Sequence, residues 1–239
     1  MVQPVDLERM DPAVEPLEEK AHRVGRVAIG AIPVIGSVAV EFFNSIFETP
    51  LNKRRTEVIR QIGEGLNALI AQGIVTEEGL QTNEAFISTV AEVCNISLRN
   101  HQAEKLAALR NAAINSALPG CPSDDYRQIF LHFVEVCTVS HIRLLKLFEA
   151  PEKWFADHDR AEPYRTAVSL SQVIEHAMPD LKRNREILDT VWADLYQKGL
   201  VEVKQVEMVL SHESCFSKQT TRFGSKLIAF LSEPVETVP

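Results

Sequence analysis

Apolar side chains recur along most of this chain at the spacing of one helix face, and the strongest such stretch lies near the C-terminal end. Between residues 185 and 198 they stand at Ile187, Leu188, Val191, Trp192 and Leu195, with Asp189, Asp194 and Gln197 on the other side. Gly199 follows and predicts a left-handed helix stop. Residues 200–203 and 206–210 are rich in β-branched side chains and partly alternate, which predicts two short strands paired as a hairpin. Residues 211–218 are polar and read as a turn. Residues 220–231 return to a helical period, and Pro234 stops it.

The same period continues upstream. Thr49-Pro50 predicts a helix start, with Thr as cap and Pro in the first turn, and the helix runs to about residue 72. Its stripe is Leu51, Val58, Ile59, Ile62, Leu66, Leu69 and Ile70. A loop is expected over 73–82. Asn83 then caps a helix whose inner face holds Phe86, Ile87, Val90, Val93, Cys94 and Leu98. The next helix carries Leu106, Leu109, Ala113, Ile114 and Ala117 and stops at Pro119-Gly120. Ser123, with Asp124 and Asp125, caps a helix that buries Ile129, Phe130, Phe133, Val134 and Cys137. Thr138 caps another, with Ile142, Leu145 and Phe148 inward, and Pro151 ends it. Ser169 or Ser171 starts a further helix that Pro179 closes. The fold class expected is mainly α, with one small β-hairpin.

One segment breaks the amphipathic rule. Residues 27–40 carry no charge, and the stretch 24–47 around them is small and apolar, with Pro33 in its middle. Its apolar side chains are Val27, Ile29, Ile32, Ile35, Val38, Val40, Phe42 and Phe43. A spanning helix needs about 20 apolar residues, so the run is short for that role. It follows an acidic stretch, unlike a secretory signal. Two readings stand: a Pro-bent segment buried as core or oligomer interface, or a membrane contact. Lys53, Arg54 and Arg55 follow it closely. Such a run is either a solvated face or a lipid-facing one, worth about 1 kcal/mol per basic residue at an anionic surface.

Composition narrows the chemistry. The chain has 239 residues, 45% of them hydrophobic and 24% charged, with a net charge of −8. From Asp124 onward 14 Lys and Arg face 18 Asp and Glu; before it the count is 11 against 15. Neither half is the basic domain that nucleic-acid binding usually uses. Four scattered cysteines without a Cys-x-x-Cys pair read as reduced thiols. The seven histidines show no tight ligand spacing, and there is no Gly-rich phosphate loop or nucleophile elbow. No enzyme, metal or cofactor is therefore expected.

Leu195, Gly199, Leu200, Val201, Thr221, Gly224, Leu227, Ile228 and Leu231 form a pattern that resembles the end of bacterial winged-helix domains. The resemblance implies first and second helices at 138–149 and 169–177 and a wing at 211–218. It also implies a nucleic-acid or partner contact at Lys182, Arg183, Asn184 and Arg185, the start of the long helix. Asp180, Glu186, Asp189 and Asp194 oppose that role. The expected organisation is a loose acidic arm over 1–20, a helical bundle over 21–122, a winged-helix-like domain over 123–233 and a tail over 234–239.

Across the whole chain, Glu104, Lys105, Leu106, Leu109, Arg110, Asn111 and Ala112, with Ile142, Leu145 and Phe148 beyond, resemble bacterial proteins akin to the Abi-alpha group, which is linked to abortive infection by phage. That resemblance implies a non-enzymatic interaction protein of phage defence, acting at the membrane. It would be cytoplasmic or peripheral to the inner membrane, with a protein partner or further copies of itself. The competing reading is a winged-helix DNA-binding regulator, which the net charge disfavours.

Overall fold

A computed structural model describes residues 37–160 and 168–234, with side chains from Leu51 onward. The described residues form a mainly α protein of twelve helices, with a small two-strand antiparallel sheet towards the C-terminus. Two compact units divide the chain. One takes residues up to His101 together with 109–121; the other takes 102–108 and residues from Pro122 onward.

In the first unit, α1 spans Ser37–Ala71, α2 Glu77–Gln81 and α3 Glu84–Arg99. Helix α1 does not begin at Thr49-Pro50: Pro50 lies inside it. Proline cannot donate to the carbonyl four residues earlier, so the cost of this position is borne within one continuous helix. Val58, Ile59, Ile62, Leu66, Leu69 and Ile70 are buried, as their spacing predicts. The expected loop over 73–82 contains α2, whose N-cap Thr76 accepts from the Gly79 amide at 3.1 Å. Asn83 caps α3 by accepting from Phe86 N–H at 3.0 Å. Phe86, Val93 and Cys94 are buried there, but Ile87 is exposed; Thr89, Ile96 and Ser97 are the other buried positions. Helix α4 spans Ala103–Ser116, its residues from Leu109 onward belonging to this unit and those up to Ala108 to the other. Its Ile114 packs so closely on Gly65 that a Cβ there would lie 2.3 Å from the Ile114 side chain.

In the second unit, α5 spans Asp124–Val136, α6 Val139–Glu149 and α7 Pro151–Asp157. Strand β1 (Val168–Ser169) leads into α8 (Leu170–Ala177), α9 (Pro179–Lys182) and α10 (Arg185–Gln197). Strand β2 (Val209–Leu210), α11 (His212–Phe216) and α12 (Arg222–Leu231) complete it. Pro151 and Pro179 begin helices rather than end them, because the missing N–H and fixed φ of proline suit the first helical position. Ile142, Leu144, Leu145, Leu147 and Phe148 of α6 are buried, as are Leu188, Val191, Trp192 and Leu195 of α10. Phe148 meets Trp192 edge-on at 5.2 Å, and the Trp192 indole N–H donates to Val203 O at 3.0 Å. Ile187 and Ile129, expected inward, are about half exposed at 48% and 52%.

The strand pairing also departs from expectation. Residues 200–203 and 206–210 do not pair with each other. Val209 and Leu210 pair instead with Ser169 and Val168, while Val201 bridges Thr220. The polar stretch 211–218 is not a bare turn: Ser211 caps α11 there, and Cys215 and Phe216 are buried. Local alternation marks a residue as extended but carries no information on which distant segment will satisfy its backbone.

Gly199 (φ 67°) closes α10 as its position predicts. Its carbonyl accepts the Thr221 hydroxyl at 2.6 Å, and Thr221 in turn accepts the Gly224 amide at 3.0 Å, capping α12. A side chain at Gly224 would place its Cβ 2.2 Å from Leu200 O. Gly199, Leu200, Thr221 and Gly224 thus form one tight joint.

Candidate functional site

The apolar segment divides at the edge of the described residues. Val27, Ile29, Ile32, Pro33 and Ile35 lie outside them. Val38, Val40, Phe42 and Phe43 fall in the first turns of α1, where the backbone alone is described. Helix α1 then carries Lys53, Arg54 and Arg55. Lys53 is exposed, whereas Arg54 and Arg55 are half-buried. Arg54 Nη1 donates to Leu98 O at 2.9 Å, near the end of α3, where helix carbonyls lack partners of their own. Arg55 Nε is buried with no hydrogen-bond partner among the described residues. Only Lys53 of the three is therefore fully presented to a partner. Among the described residues no helix is long and apolar enough to cross a membrane.

The second expected contact, Lys182 to Arg185, is brought together around the start of α10, but only Arg185 belongs to that helix. Lys182 ends α9 and pairs with Glu175 at 3.1 Å. Arg183 is exposed, and Asn184 donates to Asp180 O at 3.1 Å. Arg185 is held by Asp189 at 2.9 Å, by Glu207, and by the Ser171 hydroxyl at 2.7 Å. Burial works against its charge, but the two carboxylates outweigh it and hold the guanidinium above its usual range. Two of the three basic side chains are thus matched by in-chain carboxylates. That lowers the positive potential a phosphate backbone would meet.

A buried polar cluster went unmarked by the apolar pattern. Lys105, which is 3% exposed, donates from Nζ to Glu135 O at 3.1 Å and Cys137 O at 2.8 Å, covering the end of α5. Thr138 N–H donates to His141 Nδ1 at 3.1 Å, and the Thr138 hydroxyl lies 2.9 Å from the same nitrogen. His141 Nε2 meets Asp194 Oδ2 at 3.1 Å, and Asp194 Oδ1 pairs with Lys198 at 3.0 Å. Because Nδ1 accepts, the proton of the neutral ring sits on Nε2 and points at the carboxylate. Burial pushes the His141 pKa below the ordinary 6.5, although Asp194 pulls the other way. Burial also lowers Lys105 and raises the Cys137 thiol to about 12, which rules that thiol out as a nucleophile near neutral pH.

A second polar knot joins α6 to α12. Glu149 Oε2 accepts from the hydroxyls of Thr220 and, at 2.9 Å, Ser225, while Oε1 accepts from Lys218 Nζ at 2.9 Å. Burial raises its pKa, but these three donors outweigh it and leave the carboxyl below its usual range. The groups of both clusters are partnered within this chain. On the surface, Trp154 of α7 stacks on His158 with ring centres 3.9 Å apart. Among the described residues no group of His, Cys, Asp and Glu could hold a metal ion, and no disulfide links the four cysteines. Comparison with known protein families, with curated proteins and with solved structures finds no match to this chain.

Proposed function

We propose that this chain is a non-enzymatic bacterial interaction protein that works against an anionic membrane surface in defence against phage. The apolar segment 24–47 makes the membrane contact, and the C-terminal unit, read here as winged-helix-like, receives a protein partner or a further copy. What carries the reading is the continuity of α1: the helix that begins among the apolar residues at Ser37 runs on without a break through Lys53, Arg54 and Arg55. An apolar helical end with basic residues behind it offers a membrane one apolar and one electrostatic contact, the two signals that stable anchoring uses. A single apolar signal binds reversibly, and an exposed basic side chain behind it, here Lys53, adds about 1 kcal/mol at a charged surface.

Liposome flotation tests this directly. The intact chain, a chain starting at Glu48 and the full-length Lys53→Glu variant are each mixed with neutral and anionic vesicles. The intact chain should float with anionic vesicles and lose that binding in high salt. The shortened chain should stay at the bottom, and Lys53→Glu should float several-fold less. An intact chain that never floats removes the membrane from the reading. If it instead shows salt-sensitive DNA binding at low ionic strength, the regulator reading replaces this one.

A further inference from the structure

The peptide group between Cys137 and Thr138 is held at both of its polar atoms by buried titratable side chains. Its carbonyl accepts from Lys105 Nζ at 2.8 Å, and its N–H donates to His141 Nδ1 at 3.1 Å. This peptide is the joint between α5 and α6: Cys137 is the C-cap of one helix and Thr138 the N-cap of the other. A helix end leaves orphan carbonyls and a helix start leaves orphan amides, so a short joint must find partners for both. Here the chain supplies them from two other places, α4 and the first turn of α6.

The two holds respond differently to protons. A lysine keeps N–H donors whether charged or neutral, so the Lys105 side is insensitive in kind. The imidazole has one acceptor nitrogen; a proton added there turns it into a donor that faces the Thr138 amide, another donor, and that can bond the Thr138 hydroxyl oxygen, 2.9 Å away, instead. We propose that the 137–138 peptide is an acid-released catch: protonation of His141 at Nδ1 ejects the Thr138 amide and opens the first turn of α6, while the carbonyl side holds.

The groups around His141 fit a local rather than a global release. Asp194 and Lys198 face it from α10, Lys105 from α4, Cys137 from the joint and the edge of the Phe133 ring from α5. The protonated ring still donates from Nε2 to Asp194, so the tie between α6 and α10 survives and the cap alone is lost. Burial among these groups favours the neutral ring. With the folded pKa below the ordinary 6.5, the contribution is complete above 6.5 and is lost as the pH falls through the folded value.

The test is amide hydrogen exchange by NMR on the full chain, with the His141 ring nitrogens followed in parallel, between about pH 7.5 and about pH 5. Phe86 N–H, capped by the non-titrating Asn83, is the internal reference. After correction for intrinsic exchange, Thr138 protection should fall roughly tenfold, as the loss of one hydrogen bond implies. Its midpoint should coincide with the His141 titration while Phe86 stays constant. In His141→Gln, whose side-chain oxygen suits the same capping position without titrating, Thr138 should stay protected throughout. The proposal is overturned if His141 protonates without a change at Thr138, or if Thr138 opens equally in the glutamine variant. Should that variant not fold, coincidence or divergence of the two midpoints in the natural chain decides alone.

Discussion

Gly224 and Gly199 sit at the same joint for opposite reasons, and substitution should separate them. At Gly199 nothing lies within 4 Å of an added Cβ, so Gly199→Ala meets only the strain of a left-handed φ, about 1–2 kcal/mol. Gly224 lies in a helix, where alanine would normally gain about 1 kcal/mol. Its Cβ would strike Leu200 O at 2.2 Å, a backbone atom that cannot swing aside. Gly224→Ala should therefore destabilise the fold by about 1–3 kcal/mol despite the better helix propensity, read as a lower urea midpoint with unchanged slope. Gly199 was legible in the sequence, because a helix stop follows from local chain geometry; the need for Gly224 was not, since it comes from the Leu200 carbonyl of a distant segment. Legible too were the cap at Asn83 and, as one of two candidate starts with Ser171, the cap at Ser169, where a side chain bonds an amide only three residues on. Lys105 and His141 were not. A periodic pattern counts apolar side chains, and a buried lysine is justified only by carbonyls about thirty residues away in the chain.

Helix α1 departs furthest from its sequence reading, because a Thr-Pro pair is a good helix start wherever nothing precedes it. Here a helix already runs in from Ser37, and Pro50 is carried along inside it. Pro50→Ala restores a donor for the carbonyl of Ile46. It should raise helix content and slow amide exchange on both sides of residue 50, with a gain of up to about 3 kcal/mol in local helix stability. Unchanged exchange around residue 50 would mean that the turn is satisfied in another way. The strands show the converse limit. Of residues 200–203 and 206–210 only Val201 and the 209–210 pair take part in strand pairing, residues 206–207 forming a turn, and their partners are Thr220 and the 168–169 pair. The hydrophobic face of α10 was readable, because four of its five apolar positions meet the core. The exposed Ile187 was not, since period alone sets a stripe's direction and not its width.

At the scale of the whole molecule, composition and periodicity sufficed for a mainly α fold, since nearly every helix buries one stripe. Function was the least legible level: the candidate contacts are surface charges, and a surface charge reveals its role only through its neighbours. Arg54 proved to cover a helix end, and Arg185 to be held by two carboxylates. The aromatic residues add a consequence of another kind. The chain has two tryptophans, and their surroundings are unlike. Trp192 is sealed against Phe148, its N–H bonded to Val203 O, so it should emit in the blue and shift only on unfolding. Trp154 lies partly open with the His158 ring flat against it. Removing that ring in His158→Leu should alter Trp154 emission and leave Trp192 emission unchanged. The protein thus carries two optical channels in one chain, one that reports whether its core is intact and one that reports the surface of α7.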